Sequence, residues 1–166
     1  ANLPAKRDAM RAEPVPHALC ISVDLPDWPR VHALATGHAN LHATLGTHPD
    51  YPDTVEPDVA TLVELAGRPK VVAIGETGLD YHYSAETKSL QAESLRTHVE
   101  AARVTGLPLI IHARDADADI ARILAAEHAA GRFSCVMHCF TASRALAETA
   151  LSLGFYLSIS GIATFR

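Results

Sequence analysis

The sequence is poor in positive charge, in aromatic side chains and in cysteine. Fourteen Lys and Arg stand against nineteen Asp and Glu, a formal net charge of −5. That balance excludes a broad basic surface of the kind that coats nucleic acid. A polyanionic ligand would have to be gripped locally, for example by a metal. Aromatic residues make up 5% of the chain. The three cysteines, Cys20, Cys135 and Cys139, form no Cys-x-x-Cys pair. Their odd number argues against a disulfide framework, so a reducing, cytoplasmic compartment is expected. No apolar run approaches the ~18 residues of a membrane span, and no membrane partner is expected. Ala1–Arg11 lacks the apolar stretch of a signal peptide. There is no low-complexity segment and no long linker. The longest irregular stretch runs from Gly46 to Glu56.

What the sequence does have is an ordinary globular composition, 48% hydrophobic and 20% charged, over 166 residues. That is the size of one domain. Short apolar runs alternate with helical patterns. The expected strands are His17–Asp24, Leu41–Gly46, Lys70–Gly75, Pro108–His112, Phe133–His138 and Phe155–Ser160. Most are near-continuous apolar runs, which suit strands buried on both faces of a parallel sheet. The expected helices are Pro4–Ala12, Trp28–His38, Pro57–Ala66, Ala85–Thr105, Ala116–Ala130 and Ser143–Leu153. Pro57 fits a first helical turn, and Gly67, Gly106, Gly131 and Gly154 fit helix stops. Strict alternation implies right-handed crossovers and a parallel sheet. Two layouts compete. Length alone favours an open, doubly wound sheet, because a (β/α)8 barrel usually needs about 250 residues.

The polar residues shift that balance. Ten histidines is a high count, and their placement matters. The apolar runs end in Asp24, His48 (two past Gly46), Glu76, His112, His138 and Ser160. Most of these are metal-ligand types. A parallel sheet brings all strand C-termini to one end, where α/β enzymes place their sites. Imidazole and carboxylate together suit Zn²⁺, Mn²⁺, Fe or, with more oxygens, Mg²⁺. A metal-assisted hydrolase follows. His17, His32, His38, His42, His98 and His128 lack this placement and read mostly as surface or helix-face residues. His82 is ambiguous. Cys139 reads as packing.

Four segments carry a resemblance. Val72–Tyr81 (VAIGETGLDY), Leu109–Ala116 (LIIHARDA), Met137–Thr141 (MHCFT) and Leu45–Pro49 (LGTHP) closely resemble the motifs of the TatD family of metal-dependent deoxyribonucleases, in the family's order and spacing. The resemblance covers nearly the whole chain as one domain, residues 1–166. It implies an α/β fold, a (β/α)8 TIM-type barrel of the metal-dependent hydrolase kind. Members begin with a strand ending in a His-x-His pair and finish with a strand carrying a metal-binding Asp. Asn2-Leu3-Pro4 looks like sequence just after that first strand. The chain therefore resembles strands two to seven, an incomplete barrel lacking the first and last strands. Ala142 stands where the family commonly has Gly.

By resemblance, Glu76, His112 and His138 are metal ligands, with Glu76 bridging two divalent ions (Mg, Mn or Zn). Glu76 lies between Gly75 and Gly78, which would let the backbone turn tightly there. His48 contacts a substrate phosphate or a second metal position, or is a turn histidine before Pro49. Arg114 grips phosphate, or pairs with Asp115 or Asp117. Asp80 orients a ligand histidine, or caps its loop. Tyr81 and Phe140 stack on bases, or pack. The implied activity is metal-dependent cleavage of DNA phosphodiesters, as an exonuclease on single-stranded ends, with no obligate protein partner. The alternatives are an ester or amide hydrolase, such as an aminoacyl-tRNA deacylase, and an inactive truncated remnant.

Overall fold

The computed structural model describes residues 3–51 and 55–165. Asn2, expected just after a strand, and Pro52 of the irregular stretch lie outside the described residues. The elements run α1 (Leu3–Ala12), β1 (Ala18–Cys20), α2 (Trp28–Thr36), β2 (Leu41–Leu45), α3 (Val59–Ala66), β3 (Val71–Asp80), α4 (Lys88–Thr105), β4 (Leu109–Arg114), α5 (Asp117–Ala130), β5 (Cys135–Met137), α6 (Arg144–Ser152) and β6 (Tyr156–Leu157). Short 3-10 turns occupy Ala85–Thr87 and Gly161–Thr164.

The strands form one sheet in the order β1-β2-β3-β4-β5-β6, and every pair is parallel. Sequence neighbours are sheet neighbours throughout. A doubly wound sheet reverses its strand order at a switch point. This winding never reverses, which is the pattern of a barrel wall, and the open-sheet alternative is set aside. Leu109, Ile110 and Ile111 are consecutive and all buried, as expected of a strand covered on both faces. The core packs Ile74, Leu79, Leu109, Ile111 and Met137 of the sheet with Leu95 and Val99 of α4, Ile120 and Ile123 of α5, and Leu146 of α6.

Helix ends follow local chemistry. Asp58, not Pro57, starts α3: its carboxylate accepts the Thr61 N–H at 2.8 Å, and Pro57 lies before the cap. Ser143 caps α6 in the same way. Gly106 ends α4 with φ +71°, the left-handed stop that glycine makes inexpensive. The first turn of the expected helix Ala85–Thr105 is 3-10, and the α-helix begins at Lys88.

The sheet departs from the expected lengths in both directions. β1, β5 and β6 are shorter than their apolar runs. β3 is longer and does not turn at Glu76. It continues through Thr77, Gly78, Leu79 and Asp80, which pair with Ile111, His112, Ala113 and Arg114. Between the pairs Ile74–Leu109 and Thr77–Ile111 the register shifts: three steps along β3 match two along β4, a bulge. The two glycines serve this close pairing rather than a turn. Gly75 has φ +126°, and a Cβ there would come within 2.5 Å of the Ile110 carbonyl oxygen. Gly78 has φ +146°, and its Cβ would collide with the His112 carbonyl. Glycine in an apolar run reads as a strand end from sequence, whereas here it is what permits the strand to go on.

Of the surface and helix-face alternatives, His98 takes the second, on a face that is turned inward. It is fully buried on α4. Its Nε2 accepts the Thr47 N–H at 3.1 Å, and its Nδ1 donates to the Ser94 carbonyl at 2.8 Å. Burial, only partly opposed by the Ser94 carbonyl, pushes its pKa down to about 4. The folded protein therefore holds His98 neutral. As pH falls below about 6.5, the unfolded chain gains a proton that the folded one refuses. Stability should drop between about pH 6.5 and 4 by an amount on the order of 3 kcal/mol, at about 1.4 kcal/mol per pKa unit. Urea unfolding across that range checks this. His98→Gln, which can keep both hydrogen bonds without titrating, should flatten that part of the profile.

Candidate metal centre

Glu76 lies in the β3 bulge, and its N–H donates to the Ser22 carbonyl at 3.0 Å. Ser22 and Val23 have left the β1 ladder but still fix the site backbone: the Val23 carbonyl accepts the His48 N–H at 2.8 Å. His112 is carried within β4. His138 follows β5, and its N–H donates to the Ile111 carbonyl at 2.7 Å. Four separate segments thus reach one point through backbone hydrogen bonds.

That point is Glu76 Oε1. His138 Nδ1 lies 2.9 Å from it, His112 Nδ1 3.6 Å and His48 Nε2 4.0 Å. The His48 and His112 rings are 4.3 Å apart. Asp80, fully buried, accepts from His112 Nε2 at 2.8 Å through Oδ2. Its Oδ1 accepts the His82 and Tyr83 N–H groups at 2.9 and 2.8 Å. Asp80 therefore does both things expected of it as alternatives: it orients a histidine and it caps the following turn.

The hydrogen bonds decide the histidine tautomers. His112 Nε2 carries the proton it gives to Asp80, which leaves Nδ1 to face Glu76 as a ligand atom. His48 Nδ1 accepts the Asp50 N–H at 3.2 Å, which places the proton of the neutral ring on Nε2, the atom directed at the centre. His48 thus presents a donor.

The charges agree. Burial alone would raise the pKa of Glu76, but the His112 and His138 imidazoles outweigh it and hold the carboxyl at about 2. Burial likewise opposes ionisation of Asp80, and bonds from Tyr83, His112 and His82 pull it below the ordinary range. His112 is lowered by burial and raised more by Glu76 and Asp80, a net upward shift. His138 is raised by its bond to Glu76. Burial and the neighbouring His112 lower His48, consistent with a neutral ring.

The donor set fits a divalent cation. Ligand atoms of His48, Glu76 and His112 lie within 4.8 Å of one another. Two donors on one Zn²⁺, each at about 2.0–2.2 Å, stand up to ~4.4 Å apart, and the separations of His112 Nδ1 and His138 Nδ1 from Glu76 Oε1, 3.6 and 2.9 Å, fall within that limit. His138 joins through its contact with Glu76 rather than as a member of that tight group. The expected ligands Glu76, His112 and His138 do converge, and His48 converges with them.

Other expected residues fall around the centre. Arg114 is exposed and pairs with neither Asp115 nor Asp117. Its guanidinium lies over the Tyr83 ring, 4.8 Å from the centroid. The Tyr81 hydroxyl donates to Asp119 at 2.8 Å, a structural bond. Phe140 packs against the core. The Asp24 carboxylate accepts the Asp27 N–H at 2.7 Å, and Ser160 Oγ lies 2.9 Å from Cys139 Sγ; neither forms a hydrogen bond or ion pair with the centre among the described residues. Gln91 was missed at the sequence level. It is buried on α4, accepts the Asp80 N–H at 2.8 Å and donates to the Ser84 carbonyl at 2.6 Å. A signal existed: Gln91, Ser94 and His98 share the helix face of Leu95 and Val99, and polar groups on an apolar face need partners in the core.

A family profile described as "TatD related DNase" matches residues 2–166. The chain is 39% identical over 157 residues to the "Uncharacterized metal-dependent hydrolase YabD" of Bacillus subtilis, covering 94% of this chain and 61% of that protein. It is 32% identical over 154 residues to the "3'-5' ssDNA/RNA exonuclease TatD" of Klebsiella pneumoniae, covering 91% of this chain and 57% of that protein. The crystal structure of YJJV, a TatD homologue from Escherichia coli K12, superposes with a TM-score of 0.85 at 26% identity, covering 99% of this chain and 65% of YJJV. The chain thus spans about three fifths of the length of the curated relatives it matches.

Asp80 supplies a direct test of the centre. Asp80→Asn keeps an oxygen for one bond and loses the charge that fixes His112. Metal affinity measured by titration calorimetry with Mn²⁺ or Zn²⁺ should weaken about 10–100-fold. Unchanged affinity would reduce Asp80 to a loop cap.

Proposed function

Because the chain belongs to the TatD-related DNase family of metal-dependent hydrolases, we propose that it forms the centre of a divalent-metal-dependent phosphodiesterase acting on the ends of single-stranded DNA. The observation that carries this reading is one buried carboxylate oxygen, Glu76 Oε1, with three imidazoles turned toward it. The relative named as a single-stranded DNA/RNA exonuclease supports the substrate class. We read the six strands as the second to seventh of an eight-stranded barrel in a single hydrolase domain. The three free cysteines favour a reducing, cytoplasmic compartment.

Glu76, His112 through Nδ1, and His138 would hold the metal. Glu76, with two oxygens, is the group able to serve a pair of Mg²⁺, Mn²⁺ or Zn²⁺ ions. When bound, such ions neutralise an anionic diester and lower the pKa of a coordinated water from about 15.7 towards 7.

The remaining roles belong to the chain itself. Asp80 keeps the His112 Nε2 proton in place, so that Nδ1 stays a lone-pair donor. Glu76 stays ionised at any pH above about 2. His48, neutral with its proton on Nε2, donates a hydrogen bond to a phosphate oxygen entering the centre, a role that matches its tautomer better than ligation. Arg114 presents a flat guanidinium to the next phosphate. With a net charge of −5, attraction of the polyanion is confined to this mouth.

Cleavage of a 5′- or 3′-labelled single-stranded oligonucleotide by the full-length protein should stop with excess EDTA and return with Mn²⁺ or Mg²⁺. Glu76→Gln should cost more than the ~100-fold typical of residues that merely orient a ligand. Degradation that persists in EDTA would sink the proposal. Hydrolysis of charged tRNA or small amides, with oligonucleotides untouched, would redirect it to ester or amide substrates.

A further inference from the structure

The turn that follows β3 carries three rings, Tyr81, His82 and Tyr83, and the first two are tied down by Asp119 and Asp115. Tyr83 is 62% exposed, although its backbone is firmly held. Its N–H is bonded to Asp80 Oδ1, and the buried Gln91 amide grips the carbonyls of Asp80 and Ser84 on either side. The His82 ring stands perpendicular to Tyr83, with centroids 4.5 Å apart, and is anchored by Asp115 Oδ2, 3.0 Å from its Nδ1. Arg114 lies against the Tyr83 ring and forms no ion pair among the described residues. Loose turns often expose an aromatic ring. A turn locked by a buried carboxylate and a buried amide that still directs its ring outward has been built to present it.

We propose that Tyr83, flanked by His82 and Arg114, is a stacking ledge for one nucleobase of a single-stranded nucleic acid, that of the nucleotide next to the phosphate held at the centre. This rests on the phosphodiesterase reading above. The position follows from Asp80: one oxygen of its carboxylate holds the Tyr83 amide at 2.8 Å and the other holds the His112 ring at 2.8 Å. The ledge and the candidate ligand are therefore two hydrogen bonds apart. Beside it, Arg114, Asp115, Asp117, Thr141, Ser143 and Ile162 border an open cleft of about 460 Å³. Asp115 and Asp117 keep their charge there but are directed to His82 and to the Ser143 N–H at 2.7 Å, and Arg114 is the cation that lines the cleft. Stacking accepts every base, because each has a π-face, whereas phosphate contacts weaken as salt rises. In a protein of net charge −5, a stacked base adds a contact that needs no positive charge.

The test compares two fluorescently labelled single strands of equal length, one oligothymidylate and one built of abasic sites, bound to the full-length protein in EDTA and read by anisotropy. The wild type should prefer the base-bearing strand about 10-fold. Tyr83→Ala should bring that ratio close to one, and Tyr83→Trp should restore it. An unchanged ratio in Tyr83→Ala overturns the ledge, as does a ratio of one in the wild type. Turnover with Mn²⁺ reads the centre separately. A wild type that shows the Tyr83-dependent preference but cuts neither strand keeps the ledge and overturns the hydrolase reading.

Discussion

A carboxylate buried inside a β-strand has to be surrounded by cations or donors, because an unpaired buried charge costs several kcal/mol. Glu76 is such a group. The compensation comes from imidazoles carried by β4, by the segment after β5 and by the segment after β2, none of which is near Glu76 in sequence. Each is delivered by a parallel strand whose end faces the same way. The ladder order, the bulge in β3 and the backbone bonds from Ser22 and Val23 all serve that one convergence. A single carboxylate oxygen therefore ties the geometry of the sheet to the chemistry at its mouth.

Behind the centre stands a set of buried polar groups on α4. Gln91 holds the Asp80 turn, Ser94 donates to Glu56 at 2.6 Å, and His98 holds the Thr47 amide next to His48. Paired polar groups inside a low-dielectric core favour one arrangement, because a slip would leave the Gln91 amide or the His98 ring without partners. Asp80 is the junction of this network with the centre. Its two oxygens fix the His112 ring and a turn at once, so the position of His112 and the presentation of Tyr83 depend on the same carboxylate.

The sequence conveyed the alternation of strands and helices well, since buried parallel strands appear as apolar runs such as Leu109–Ile111 and helices as spaced apolar residues. It also conveyed that Glu76, His112 and His138 would lie together, because strand ends in a parallel sheet share one side. It failed where glycine changed its meaning. Gly75 and Gly78 looked like a strand end but allow close approach between β3 and β4. For His98 it left surface and helix face open, and only packing shows that this helix face is buried, with a partner for each ring nitrogen.

Residue order along the chain determined which chemical groups were available and at which end of the sheet they would gather, because hydrophobic periodicity fixes where each strand begins and the parallel arrangement fixes its direction. Only the tertiary structure decided what each group does there. Whether His48 offers a lone pair or a proton depends on the Asp50 amide beside it. Whether Asp80 is a cap or an orienter depends on what meets each of its oxygens. Asp50 lies two residues from His48, and the turn amides lie two and three residues from Asp80, but the side chain each group faces, His112 for Asp80 and Glu76 for His48, is brought up from a distant strand, and no local pattern encodes that meeting.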